Sequence, residues 1–162
     1  MRSEKPAPAA HNSYLLSHAK LLVDSFEKLT GKTLLDTHYD DADLGKALYE
    51  TNIVVVSHGV EQDPVFNYAN ALALNLFEMS WGEFVALPSR LSAEPMHQNE
   101  RERLMQTVTA QGFIDNYAGV RVSKSRKRFM IESATVWNLL DENGDYRGQA
   151  ATFSTWRWLD KA

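Results

Sequence analysis

Apolar positions recur at helical spacing early in the chain and at strand spacing late in it, and the change of period sets the expected elements. Leu15, Ala19, Leu22, Phe26 and Leu29 recur at offsets of four and three, one stripe of a helix that Asn12 or Ser13 caps and Gly31 stops. Leu16 and Val23 widen that stripe beyond what one sheet face needs, so the helix is expected to be buried on two sides, against its own domain and a second helix or across a dimer. A short helix over 41–50 follows, with Leu44, Ala47 and Leu48 on one side, then a fully buried strand over 53–56 that ends at His58 and Gly59. Val65, Phe66 and Tyr68 give a second brief strand. Asn70 then stands where its side-chain oxygen caps a helix carrying Leu72, Leu76 and Phe77, with Leu74 broadening the face. Ser80 and Glu83 form a capping box for another short helix that buries Phe84, Val85 and Leu87 and stops at Pro88. A helix over 98–110, terminated by Gly112, leads into three strands over 114–123, 128–140 and 149–158, the last two joined by the Asn143-Gly144 hairpin signal. Along 128–140 both alternations contain large apolar side chains, so period two does not decide which face is buried.

The succession of a strand ending in Asn, a helix ending near Phe and a Ser-x-x-Glu turn resembles the front half of a PAS-type sensor module. With SHGVEQDPVFNYAN, LPSRLSAEP, GFIDNYAGVR and ATVWNLLDENG, the region 44–158 is similar to the MEKHLA family, a PAS-related group also found at the C-terminal end of class III homeodomain leucine-zipper transcription factors. The chain is identified as a free-standing, bacterial-type member. The resemblance implies an α+β fold: a PAS-like five-stranded antiparallel sheet with helices over one face, plus an N-terminal helical extension. The expected division is a disordered lead-in over 1–12, the extension over 13–50 and the PAS-like domain over 51–160.

The same resemblance places a ligand cavity between sheet and helices, with Phe66, Tyr68, Asn70, Phe77, Trp81 and Phe84 around it. In register with the capping box, Leu87 to Leu91 is similar to the flavin-binding LOV branch of PAS domains. Ser89 falls where that branch has its cysteine, and a serine forms no photochemical thioether. Arg90 matches the arginine that holds a flavin phosphate, and Arg101 or Arg103 is the second candidate contact. Pro88 replaces an amide-bearing Asn and removes one polar contact, so the cofactor stays open between flavin and none. Farther on, Tyr117, Trp137, Asn138 and Gln149 either line the pocket, with the amides reading a ligand's polar edge, or belong to the core with Phe153.

Length and composition bound the rest. A chain of 162 residues, 44% hydrophobic and 23% charged, fits one globular domain with a core of its own. A net charge of -4 argues against a nucleic-acid binder that relies on a basic field. The absence of cysteine excludes disulfides, thiolate metal sites and thiol nucleophiles. No apolar run reaches the roughly 18 residues of a membrane span, and the first residues lack the apolar centre of a signal peptide, so the cytoplasm is the expected compartment. The five histidines lack zinc spacing, and the acidic stretch from Asp36 to Asp43 lacks EF-hand spacing. No Ser-His-Asp context, phosphate-cradling loop or paired carboxylates appear. The expectation is a sensory, ligand-binding or protein-interaction module without catalytic activity, homodimeric through the N-terminal helix or the sheet. Two alternatives stand beside it: an NTF2-like cone-fold isomerase or hydrolase, and a pure dimerisation or partner-binding domain.

Overall fold

The computed structural model describes residues 5–159, the side chains of residues 95–97 excepted. Five helices, α1 (Leu16–Thr30), α2 (Leu44–Glu50), α3 (Ala71–Phe77), α4 (Trp81–Phe84) and α5 (Pro95–Gln111), surround six strands, β1 (Val54–His58), β2 (Phe66–Ala69), β3 (Phe113–Val122), β4 (Arg128–Leu140), β5 (Tyr146–Phe153) and β6 (Thr155–Trp158). The strands form one antiparallel sheet in the order β2-β1-β5-β4-β3. β6 continues past β5 along the free length of β4, pairing Phe129 with Trp158 and Ile131 with Trp156. Two N-terminal strands therefore flank the C-terminal meander, with α3 to α5 between them in sequence. This is the PAS order, and it overturns the cone-fold alternative, which needs its helices ahead of the first strand.

Local signals act where the sequence puts them. Asn70 Oδ1 accepts from Ala73 N at 3.1 Å and starts α3. The Ser80 hydroxyl accepts from Glu83 N at 3.2 Å while Glu83 Oε1 accepts from Ser80 N at 3.0 Å, closing both halves of the box. Gly31 ends α1 at φ 73, its N–H on Glu27 O. The start of α1 differs from expectation: Asn12 closes a 3-10 turn over Ala10–Asn12, accepting from Ala9 N and Leu15 N, and Ser13, Tyr14 and Leu15 follow with positive φ. Gly45 lets α2 lie against that turn, since a Cβ there would stand 2.2 Å from Ser13 O.

Both faces of the sheet are covered. Val55, Tyr68, Trp137, Leu139 and Ala150 face α1 and α2, whose Ala19, Leu22, Phe26, Leu44 and Leu48 complete one core. Val54, Val56, Phe66, Phe129, Ile131 and Phe153 face the other way, toward Ala73, Leu76, Phe77 and Phe84 of α3 and α4. The segment 13–50 is thus no appendage; it supplies half the core, and the broad stripe of α1 is taken up inside one chain. The lead-in expected to be disordered is also seated over its described part: Lys5 Nζ donates to Phe66 O and Val85 O, both at 3.0 Å, and the Trp81 indole N–H donates to Lys5 O. Residues 1–4 lie outside the described residues.

The ambiguity of 128–140 has a physical cause. Ser133 adopts φ 53, and the pairing with β3 shifts between Tyr117 and Gly119, the signature of a bulge. Phe129 and Ile131 pack with one face, whereas beyond the extra residue Trp137 and Leu139 pack with the other. One unpaired residue exchanges the parity, so both alternations are buried in different halves of the strand.

Candidate functional site

Beyond the bulge, the β4 face that carries Ala134, Val136 and Asn138 lies under α5. Its neighbours in register, Ala151 and Gln149 on β5 and Val56 and His58 on β1, continue that face across the sheet. Between this floor and the roof made by α5 and the 3-10 turn Ser89–Ser92 lies a cavity of about 80 Å³. Phe66, Phe77, Leu104, Met105, Ile131 and Phe153 give it apolar walls. Tyr117 and Arg121 close the β3 side, and a wider open groove shares His58, Arg101, Met105 and Gln149 with it, which makes that groove the way in.

Arg101, Arg121, His58 and Gln149 are the basic and amide side chains of the lining, and none of its residues is acidic. Arg101 is only 7% exposed; its guanidinium donates to the Ser89 hydroxyl, itself buried, and has no carboxylate partner among the described residues. Burial, and next the charge of Arg121, bring Arg101 down to about 10. Arg121 donates to Val120 O at 2.9 Å and lies 5.7 Å from the centre of the Tyr117 ring. His58 is held by a 2.9 Å contact between Nδ1 and Gly59 O, which puts the proton on Nδ1 and leaves Nε2 as an acceptor with no partner. Burial is the leading cause that keeps this ring below the usual histidine range, hence neutral at pH 7. The Gln149 amide donates to Met105 O at 3.0 Å and Asn138 Oδ1 at 3.1 Å, while its Oε1 is buried without a partner. Asn138 in turn donates to Val108 O at 3.0 Å, so the two amides tie the C-terminal part of α5 to the sheet.

Of the residues named from sequence, Phe66, Phe77, Ser89, Arg101, Tyr117 and Gln149 come together on this cavity. The others do not. Tyr68 and Trp137 pack on the opposite face with α1, because they stand one residue out of phase with the cavity floor, and Trp81 of α4 lies edge-on to Tyr68 in the same cluster. Phe84 lies behind Phe66, stacked at 4.1 Å, and Asn138 lies behind Gln149. Asn70 is wholly buried and bonds only to backbone: Val55 N and Ala73 N on its oxygen, Ile53 O and Leu48 O on its nitrogen. Arg90 is exposed in the outer groove, its Nε–H shared between the two carboxylate oxygens of Asp63 at 3.1 and 3.2 Å. His58 and Arg121 were not among the expected site residues. For His58 the available signal was its phase with Val56; for Arg121, the pairing of β3 with the bulged β4 turns the polar side of its alternation inward.

An isoalloxazine ring system exceeds this cavity, which lies below the roughly 300–1,000 Å³ usual for drug-sized ligands. A flavin would enter only if α5 moved outward. Among the described residues no group of acidic, histidine or cysteine side chains is placed to hold a metal, and no helix is long and apolar enough to cross a membrane.

Solved structures share the fold at low identity. A PAS domain from Colwellia psychrerythraea superposes with a TM-score of 0.59 at 16% identity, over 70% of this chain and 92% of that one. A light-oxygen-voltage domain studied with a flavin analogue gives 0.57 at 16%, over 74% and 86%. The light-state dimer of the fungal blue-light photoreceptor Vivid gives 0.55 at 14%, over 80% and 88%. Among curated proteins, homeobox-leucine zipper protein ATHB-9 of Arabidopsis thaliana is 27% identical over 132 residues, 80% of this chain and 14% of that protein. Homeobox-leucine zipper protein HOX9 of Oryza sativa subsp. indica is 28% identical over 151 residues, 87% of this chain and 17% of that protein. The chain thus spans less than a fifth of these relatives' length, and because they are plant proteins the free-standing, bacterial-type expectation is not borne out. The family expectation is: the MEKHLA domain profile matches residues 16–158, taking in α1 as well as the whole sheet, and the chain belongs to the MEKHLA domain family.

Proposed function

We propose that this PAS-type module senses a small molecule held between the sheet and α5, in the cytoplasm, and acts by binding rather than by catalysis. One observation carries the reading: His58 Nε2 and Gln149 Oε1 are buried at the cavity with no partner. Buried polar atoms without partners are rare and costly, and a bound molecule would satisfy them. Thermal melting of the protein against a panel of small metabolites tests it. At least one compound should raise the melting temperature of the wild type, and Ala134→Leu, which fills the cavity from its floor, should abolish the shift. Equal responses of the two proteins would overturn the cavity as the site.

Flavin is a second reading, supported by the light-oxygen-voltage neighbours and by Arg90 and Arg101 on one flank. It requires a yellow protein, with no thioether adduct on illumination because Ser89 carries no thiol. A colourless protein that takes up no flavin on reconstitution removes it. Self-association belongs to the same proposal and draws support from the dimeric photoreceptor neighbour. With the stripe of α1 used internally, the surface we propose for it is the end of the sheet where Trp158 is 44% exposed. Trp158→Glu should shift the sedimentation coefficient toward the monomer; a wild type that is monomeric at every concentration would end this part.

A further inference from the structure

A cavity with two guanidinium groups and no carboxylate is electrostatically incomplete. Arg101 is more than nine-tenths buried, shares the lining with Arg121, and has the neutral Ser89 hydroxyl as its described side-chain partner. Burying an uncompensated cation is unfavourable by several kcal/mol, and an anion in the cavity removes that cost. Arg121 donates to Val120 O and, at 3.4 Å, to the Tyr117 hydroxyl and is only partly buried, so the buried Arg101 is the cation that gains more from an anion in the cavity.

The same cavity disfavours an inorganic anion that carries no proton. His58 and Gln149 are directly paired across β1 and β5, so their side chains stand side by side on one face. Each presents an acceptor without a partner. A sulfate oxygen, which carries no proton, would meet those lone pairs with its own, whereas a hydroxyl group donates to one of them. The walls formed by Phe66, Phe77, Leu104, Ile131 and Phe153 ask for a carbon body, and about 80 Å³ keeps it small.

We infer that the cavity takes a small hydroxycarboxylic acid, with its carboxylate on Arg101, its hydroxyl donating to His58 Nε2 or Gln149 Oε1, and its carbon body against the phenylalanines. This rests on the reading of the cavity as a ligand site and names the class of ligand. A neutral alcohol leaves Arg101 without an anion, and a plain acid leaves both acceptors unpaired; the combination answers the cation and one of the two acceptors.

Calorimetric titration of the full chain with lactate, 2-hydroxyisovalerate and mandelate tests it, beside lactamide and mandelamide, the deoxy acids propionate and phenylacetate, and inorganic phosphate. At least one hydroxy acid should bind about 10-fold or more tighter than its amide and than its deoxy acid. Arg101→Gln should weaken that hydroxy acid by about 10- to 100-fold while leaving the melting temperature of the ligand-free protein unchanged or higher, as expected when an unpaired buried charge is removed. Arg147→Gln, which breaks only the exposed pair with Asp141, should leave the affinity unchanged. If Arg101→Gln does not fold, the comparison of acid with amide on the wild type decides alone. Amides that bind as well as acids overturn the inference and leave the cavity reading standing. Acids that bind Ala134→Leu as tightly as the wild type overturn both, and no binding by any hydroxy acid overturns the inference.

Discussion

At Asn70 a single side chain holds three segments together, which explains why the residue carries no capacity for a ligand. Its oxygen serves both the start of α3 and the N–H of Val55, and its nitrogen serves the carbonyls of Leu48 and Ile53. Asn70→Ala orphans two buried N–H groups, and we expect it to cost roughly 2–4 kcal/mol in chemical denaturation; a loss below that of an exposed cap would show that water replaces the side chain. The cap was legible from sequence because it is local. The contacts to 48, 53 and 55 were not, since nothing in the spacing says which strand lies beside a helix start. A second residue-level effect concerns pH. His18 stacks on Tyr68 and donates from Nε2 to the Ser57 hydroxyl, and burial lowers it from 6.5 to about 4. The unfolded chain therefore binds a proton that the folded chain refuses between those values. Stability is complete above about pH 6.5 and falls as the pH drops toward 4, by on the order of 2–3 kcal/mol from this ring. His58, also lowered by burial, acts in the same direction, whereas Glu78, lowered to about 2 chiefly by its bond from the Ser125 hydroxyl, loses its contribution only below the ordinary carboxylate range. Denaturation midpoints between pH 7 and 4.5 should accordingly slope less steeply in His18→Phe than in the wild type.

Within an element, one residue can decide which face every later side chain takes. The bulge at Ser133 does this in β4, and its left-handed φ of 53 is a conformation that costs a non-glycine residue about 1–2 kcal/mol. Ser133→Gly should thus stabilise the protein by up to about 1 kcal/mol, with unfolding titration as the readout, because the freedom glycine gains in the unfolded chain offsets part of the relief. Ser133→Val should destabilise it. Deleting Ser133 would send Trp137 and Leu139 toward the cavity and Asn138 into the core under α1, a pattern with no folded solution. Sequence reading located β4 and its length, since the apolar content is dense. It missed the change of parity because serine is compatible with both a regular strand and a bulge, and for the same reason it left Trp137 open between cavity and core. In α1 the opposite holds: the stripe was plain, and Phe26, edge-on to Trp137 at 4.9 Å, fills the position it predicts.

For the molecule as a whole, the two cores stand or fall together. The sheet is one element thick, so a side chain pointing either way from β1, β4 or β5 must be covered, and the chain meets that need with α3 to α5 on one face and α1 with α2 on the other. Sequence reading divided the chain into an extension over 13–50 and a PAS-like domain over 51–160, because the familiar words begin near 44 and nothing local ties 15–29 to 137–139. The long-range contacts are what join them: Ser25 Oγ donates to Leu140 O at 3.0 Å and accepts from Leu140 N at 2.9 Å, across 115 residues of sequence. We therefore expect a single cooperative melting transition for the full chain. A fragment of residues 51–162 would leave Val55, Tyr68, Trp137, Leu139 and Ala150 open to solvent, an apolar surface of the kind that drives association or collapse to a loosened state. That fragment should bind a hydrophobic dye, lose near-ultraviolet dichroism and aggregate. Phe26→Ala in the full chain should reproduce part of the effect, at roughly 3–5 kcal/mol. A fragment that stays monomeric, binds no dye and melts cooperatively would show that the second face needs no cover and that the helices before β1 are an addition to a complete domain.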